Sequence, residues 1–303
     1  MSLKNKVMSK ANALIKRSCW YNESLFLGCR KFWEHKTFNL DLINLGSSAA
    51  YYAFDYSEIS LKCANFALPS QYLLADYEIL KNYSSYLKPG ATVIMGACLF
   101  SLDGYDVTYF DDRYYTILYP SSIWHFSMQR LRLVKDIKNN PIKYYPLMSF
   151  LYDVKNLIYK KKKEGIAKEL FEKDAKRWIE DCWMKLFSID DLDAPLSLRN
   201  KDLVEQATDI MNKIKNFCDE KDYNFVIVLP PVSPEMRIWL TPEMRKNYVY
   251  IFKNSDKLKD IQFVDYLFDS EFDSNDLYNN SYFLNEKGAR QFTQKVLRDL
   301  RLI

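Results

Sequence analysis

The stretch "LDLINLGSSAAYYAFD", residues 40–55, decides how the fold of this chain is predicted. Its first six residues form a short apolar run that ends at Gly46, as a buried parallel strand does when it enters a turn. Two serines follow at once, Ser47 and Ser48. Two roles are open for Ser48: a nucleophile at the end of a strand, or a serine at the start of the next helix.

Four more segments have the short apolar pattern of buried strands, and helical patterns separate them. The strand candidates are "LKCANFA" (61–67), "ATVIMGACLF" (91–100), "NFVIVL" (224–229) and "IQFVDY" (261–266). Strands that alternate with helices are typical of a parallel sheet covered on both faces. The sequence therefore predicts an α/β fold: a three-layer α/β/α sandwich with a flavodoxin-like, five-stranded parallel sheet.

The helical segments between these strands have recognisable starting residues. Ser70 is the expected N-cap of a helix that follows the second strand. Thr241 and Pro242 are the expected cap and first residue of a later helix. The last helix, within "NEKGARQFTQKVLRDL", has Ala289 and Phe292 on one apolar face.

Residues 104–200 interrupt this alternation. The segment is crowded with aromatic residues and irregular helical patterns, and it is too long for an ordinary connection. We expect a single domain over 1–303, with 104–200 as a mostly helical insertion that forms a lid or wall.

Composition excludes several classes of function. The 303 residues are 48% hydrophobic, carry a net charge of +4, and include 7 glycines, with neither a GxGxxG nor a GxxxxGK[ST] motif. The four lysines at Lys160–Lys163 are interpreted as a solvated helix end, and no nucleic-acid partner is expected. No segment reaches the roughly 18 apolar residues of a membrane span. A cytoplasmic location is expected, and the oligomeric state is left open.

Metal and cofactor chemistry has no support in the sequence. The six cysteines are widely spaced, without a CxxC pair, and the histidines are His35 and His125. We expect reduced thiols, no metal and no cofactor.

Three motifs resemble the SGNH, or GDSL-like, hydrolase superfamily. They are "NLGSS" after the first strand, "NFALPSQ" after the second, and "FLNEKGARQFT" before the last helix. The resemblance is to bacterial branches associated with surface-polysaccharide biosynthesis. It implies a serine esterase or acyltransferase that acts on an acylated carbohydrate or small ester.

The resemblance also implies a set of site residues. Ser48 matches the nucleophile, which needs a general base to take its proton. The positions that match the oxyanion hole and the cleft around it are Gly46, Ser47, Asn65, Ala67, Gly96 and Cys98.

The terminal block departs from the family pattern at its two catalytic positions. Asn280 stands where the family has Asp, and Phe283 stands where it has the His that acts as the base. Phenylalanine cannot accept a proton, and losing such a base costs on the order of 10³ to 10⁶ in rate. The candidates for a replacement base are His125, in the expected insertion, and His35, before the first strand, and Asp273 and Asp276 lie near the terminal block.

Two hypotheses follow from the sequence. The first is a serine acyl esterase or acyltransferase, weakened or inactive, with Ser48 as its nucleophile. The second is a pseudoenzyme that keeps the cleft and binds a glycan or a partner protein.

Overall fold

The computed structural model describes residues 3–35, 37–102, 110–159 and 166–303. The chain divides into two compact units. The helical unit comprises Met1–Glu34 and Val107–Glu164, and the sheet unit comprises His35–Asp106 and Gly165–Ile303. Residues 165–200 of the expected insertion thus group with the sheet. Lys160–Lys163 and the expected boundary at Gly104 lie outside the described residues.

The sheet unit contains five parallel strands in the order β2-β1-β3-β4-β5. The strands are β1 (Leu40–Gly46), β2 (Cys63–Asn65), β3 (Leu87–Gly96), β4 (Asn224–Leu229) and β5 (Gln262–Asp265). The strand order reverses between β1 and β3, so the carboxyl ends of these two strands form the switch point where such folds bind ligands. The predicted α/β class and flavodoxin-like sheet are confirmed.

The helices of the two units are numbered together along the chain, and those of the sheet unit cover both faces of the sheet. In chain order they are α1 (Leu3–Ile15), α2 (Cys29–His35), α3 (Ser48–Ala53), α4 (Leu73–Tyr83), α5 (Met128–Asn139), α6 (Leu147–Tyr159), α7 (Phe171–Lys176), α8 (Lys185–Phe187), α9 (Leu198–Glu220), α10 (Pro234–Arg237), α11 (Pro242–Met244) and α12 (Glu286–Asp299). Helices α4 and α9 pack together on one face, and α3 packs with α12 on the other. Phe54 and Phe292 are buried between α12 and the sheet.

Shorter helical turns complete the chain. The π-helical turns are Trp20–Leu25, Arg177–Met184 and Arg245–Val249, and the 3₁₀ turns are Ser84–Tyr86, Tyr114–Thr116, Pro120–Ser122, Pro141–Lys143, Lys168–Leu170, Asp256–Leu258, Ser270–Phe272 and Asn275–Leu277. The turn Arg177–Met184 joins α7 to α8 without a break, so residues 171–187 form one helical segment.

Two details of the predicted elements are wrong. Ser70 is not a helix cap: its φ is +51°, and α4 begins after Tyr72. The third strand begins at Leu87 and ends at Gly96, so the residues "KPG" (88–90) belong to it. Thr241 is confirmed as a cap, because its hydroxyl accepts a hydrogen bond from the Met244 N–H.

The described part of the helical unit consists of helices and turns. Its core includes the buried rings of Phe26, Phe32 and Tyr114. Among the described residues of the whole chain, no helix is long and apolar enough to cross a lipid bilayer.

Candidate functional site at the carboxyl ends of the strands

The turn after β1 is shaped by close packing of α3 against the strand ends. Gly46 has φ +124°, and a Cβ there would lie 2.6 Å from the Gly96 carbonyl oxygen and 2.9 Å from the Ala50 Cβ. At Gly96, a Cβ would lie 2.4 Å from the Ala50 Cβ. Both glycines are therefore required because α3 approaches the backbone of β1 and β3 too closely for a side chain.

Two buried polar residues hold this turn from the opposite face of the sheet. The Asp76 carboxylate accepts a hydrogen bond from the Gly46 N–H at 2.7 Å, and the Gln71 Nε2 donates to the Gly46 carbonyl at 3.2 Å. Gln71 also donates to Asp76. Burial raises the pKa of Asp76 to about 7. The hydrogen bonds from Gly46 and Gln71 lower this pKa, but their effect is smaller than that of burial.

Ser48 is the first residue of α3 and is partly exposed. Its Oγ accepts a hydrogen bond from the Ser70 backbone N–H at 3.1 Å. Ser47 is at the N-cap position, yet its hydroxyl makes no capping hydrogen bond. Among the described residues, no titratable side chain forms a hydrogen bond with Ser48.

The amide of Asn65 is part of a buried network between neighbouring strands. Its Oδ1 accepts hydrogen bonds from the Asn44 Nδ2 at 3.0 Å and from the Ala67 N–H at 3.1 Å. Its Nδ2 donates to the carbonyls of Phe54 at 3.0 Å and Tyr51 at 3.3 Å. Because both amide hydrogens are used inside the protein, Asn65 has none to offer an oxyanion, and this geometry is that of a structural residue.

The loop before α12 is folded around Asn280. The Asn280 Oδ1 accepts hydrogen bonds from the backbone N–H groups of Tyr282 at 3.0 Å and Phe283 at 2.8 Å. This is an Asx turn, in which a side-chain oxygen accepts hydrogen bonds from backbone N–H groups of the same loop. Asn280 is therefore used to hold the Phe283 backbone in position.

Phe283 lies in a cluster of aromatic rings against α3. Its ring centroid is 4.9 Å from that of Tyr52, 5.4 Å from Trp178 and 5.0 Å from Tyr282. Phe100, just beyond β3, contacts Trp178 and Tyr282 as well. We call these five residues the aromatic cluster. It brings the terminal block beside the helix that starts at Ser48.

The cavity at the strand ends is small. It lies beside Ala49, Cys98, Pro230 and Tyr282 and has a volume of about 10 Å³, close to the minimum needed for a single water molecule. The side chain of Trp183 is buried at the same end of the sheet, where its Nε1 donates to the Leu99 carbonyl at 3.0 Å.

Cys98 lines this cavity and is buried. Its N–H donates to the Ser101 hydroxyl at 2.9 Å, and the Leu99 N–H donates to the Tyr282 hydroxyl at 3.2 Å. Burial raises the pKa of Tyr282 well above its ordinary value, so this phenol stays neutral. Residues 98–101, which follow β3, are thus held by hydrogen bonds within the protein.

Other ionisable residues near the terminal block are paired. Asp273 forms an ion pair with Arg237, and Asp276 forms one with Lys168 at 2.7 Å. The Lys168 ammonium holds the pKa of Asp276 below its usual range. His125 is exposed and belongs to the helical unit, whereas Ser48 belongs to the sheet unit.

Within the described ranges, no three His, Cys, Asp or Glu residues lie close enough together to hold a metal ion. All six cysteines fall in those ranges, and none of them forms a disulfide bond there.

Sequence reasoning missed Gln71, Asp76 and Trp178. Asp76 could have been noticed, because it interrupts the apolar stripe of α4 between Leu73 and Leu80. An acidic residue on a buried stripe indicates a specific partner. Trp178 had no comparable pattern, since its contacts join segments about a hundred residues apart.

No protein-family model matches this chain, and no curated protein sequence matches it. The resemblance to SGNH hydrolases therefore stays a prediction that rests on the three motifs.

Proposed function

We propose that this protein is a non-catalytic relative of the SGNH hydrolases that binds a carbohydrate at the aromatic cluster. The observation that carries the proposal is the position of Phe283, which is held by Asn280 and packed against Tyr52 and Trp178. An apolar ring at this place cannot relay a proton to or from Ser48.

The serine chemistry of the family requires a base within hydrogen-bond reach. A neutral serine hydroxyl without one is a weak nucleophile, and the loss is on the order of 10³ to 10⁶ in rate.

The aromatic cluster supports binding because part of its ring surface is accessible. Tyr52 is exposed, and Trp178 and Phe283 are partly exposed. Arg177 stacks over Trp178, with its guanidinium carbon 4.9 Å from the ring centroid. Aromatic faces beside polar groups suit a sugar ring, which has an apolar face and a polar rim. The free thiols suit a reducing compartment, so a cytoplasmic location is part of the proposal.

The first experiment tests catalysis. The purified protein is incubated with a fluorophosphonate, and its intact mass is compared with that of Ser48→Ala. We expect no adduct on either protein over several hours. Stoichiometric labelling that disappears in Ser48→Ala would contradict the proposal and favour an active esterase or acyltransferase.

The second experiment tests binding. Bacterial surface-polysaccharide fragments, with and without O-acetyl groups, are titrated while tryptophan fluorescence is recorded. We expect saturable binding that weakens about tenfold in Tyr52→Ala, the size of one lost aromatic contact. Tyr119→Ala, at an exposed tyrosine of the helical unit, is the matched control. Absence of both labelling and glycan binding would favour a protein partner instead.

A further inference from the structure

Helix α6 of the helical unit directs the polar side chain of Asp153 toward the interior of that unit. The Asp153 carboxylate accepts hydrogen bonds from the Cys19 N–H at 2.9 Å and from the Tyr145 hydroxyl. Ser149 precedes Asp153 by one turn of the helix and is also partly covered. These contacts anchor the helix through polar groups, whereas most amphipathic helices bury apolar ones.

The opposite side of α6 exposes large apolar side chains. Leu147 is 72% exposed and Met148 75%, and Leu151 and Tyr152 are each more than half exposed. Residues at i, i+1, i+4 and i+5 share one side of a helix, so these four form a continuous surface. We call it the apolar face. An exposed apolar patch of this kind marks an interaction site.

The two units carry opposite charge. By sequence, the helical unit has 18 basic and 7 acidic residues, a net charge of +11, and the sheet unit has 25 basic and 32 acidic residues, a net charge of −7. Lys155 is exposed on α6 two turns after Leu147 and one turn after Leu151, so it continues the apolar face toward the end of the helix. The partner of the apolar face is therefore expected to be negatively charged.

We propose that the helical unit binds the surface of an anionic lipid bilayer through the apolar face of α6. Apolar side chains of a surface helix insert at the boundary between head groups and acyl chains, and nearby lysines contact the anionic head groups. Nucleic acid has the required charge, but it offers no apolar layer to cover two leucines and a methionine. The inference is independent of the proposed carbohydrate site in the sheet unit.

The experiment measures co-sedimentation of the full chain with lipid vesicles. One set contains equal parts of phosphatidylglycerol and phosphatidylcholine, and the other contains phosphatidylcholine alone. We expect binding to the anionic set that weakens as salt is raised, because surface charges are screened. Leu147→Glu with Leu151→Glu should weaken this binding at least about tenfold, since two leucines no longer enter the apolar layer.

The matched control places the same charges on the sheet unit. Leu198 and Ile238 are exposed leucine and isoleucine side chains there, so Leu198→Glu with Ile238→Glu adds equal charge without touching α6. We expect this variant to bind anionic vesicles nearly as the wild type does. Circular dichroism of both variants checks that the fold is kept.

Four results would overturn the proposal. The first is equal binding to neutral and anionic vesicles, and the second is equal loss of binding in the test and control variants. The third is tight binding of a duplex DNA oligonucleotide that is unchanged in Leu147→Glu with Leu151→Glu, without vesicle binding. The fourth is a concentration-dependent dimer in sedimentation that the same variant abolishes, again without vesicle binding.

Discussion

Asp76 is a buried carboxyl group whose protonation is tied to the stability of the whole sheet unit. Its pKa is raised from 3.8 to about 7 by burial, so the folded chain keeps a proton that the unfolded chain releases. The associated stabilisation is complete below the unfolded pKa and is lost as pH rises through the folded pKa. The free energy of unfolding should therefore fall by roughly 2 to 4 kcal/mol between pH 4 and pH 8 through this group.

Asp76→Asn should remove this pH dependence and stabilise the protein at pH 8. An asparagine can still accept from the Gly46 N–H, and its N–H₂ can donate to the Gln71 Oε1, which has no hydrogen-bond partner within the described ranges. Urea unfolding at pH 5 and pH 8 measures the effect. Asp41→Asn is the control: Lys88 lowers the pKa of Asp41, so its contribution is already complete above the unfolded pKa, and this variant should keep the wild-type difference between pH 5 and pH 8. An equal change in the free energy of unfolding between pH 5 and pH 8 for wild type and Asp76→Asn would contradict the raised pKa of Asp76.

The close packing of α3 against the strand ends predicts which substitutions destabilise the protein there. Gly96→Ala should destabilise the protein by about 3 kcal/mol, because its Cβ would overlap the Ala50 Cβ. Ala50→Gly removes that atom, so the double variant should recover much of the loss.

Gly46→Ala provides the contrast. Its Cβ would also meet the Gly96 carbonyl oxygen, and its φ of +124° stays strained whatever stands at position 50. Ala50→Gly should therefore give Gly46→Ala little recovery. Urea unfolding of the three single and two double variants completes both cycles. Equal recovery in the two cycles would show that α3 moves away from the sheet.

The strands were predictable because each is a continuous apolar run, and such a run is unfavourable where one face of the strand meets solvent. Val226 to Leu229 are all buried, and such a run fits only a strand covered on both faces. Strand ends were less predictable, since backbone pairing decides them: Leu87 pairs with Leu40 across a register shift. Ser70 was misassigned because a serine before an apolar stripe usually caps a helix. Here its backbone N–H donates a hydrogen bond to the Ser48 Oγ.

The site was predictable only in part. The motifs placed Ser48, Gly46 and Gly96 at the strand ends, and the positions of Asn280 and Phe283 in the terminal loop followed from the same motifs. The use of Asn65 for internal hydrogen bonds was not visible, because an amide near a strand end can face either way. Tertiary contacts that decide such orientation have no local pattern in the sequence.

The division of the chain into two compact units predicts that the helical unit and the sheet unit unfold separately. Cys29 is buried in the helical unit and Cys218 in the sheet unit, and burial raises the pKa of each thiol to about 12. Both should resist alkylation in the native protein, because a buried thiol is neither accessible nor ionised.

Pulsed alkylation along a urea series, read by peptide mass spectrometry, then follows each unit. We expect Cys29 to react at lower urea than Cys218, because the helical unit is smaller and leaves more apolar surface exposed. Coincident curves would mean that the two units unfold as one cooperative body.

The aromatic packing around Phe283 also bears on how such a protein could change its role over generations. Active sites commonly cost a fold stability, since they keep polar groups exposed and strained. Here Phe283 contacts Trp178 and Tyr52 through their rings beside α3. Under the proposed function, a lineage that replaced a reacting group by such packing would gain tolerance to further mutation, and a return to catalysis would begin by giving some of that tolerance back.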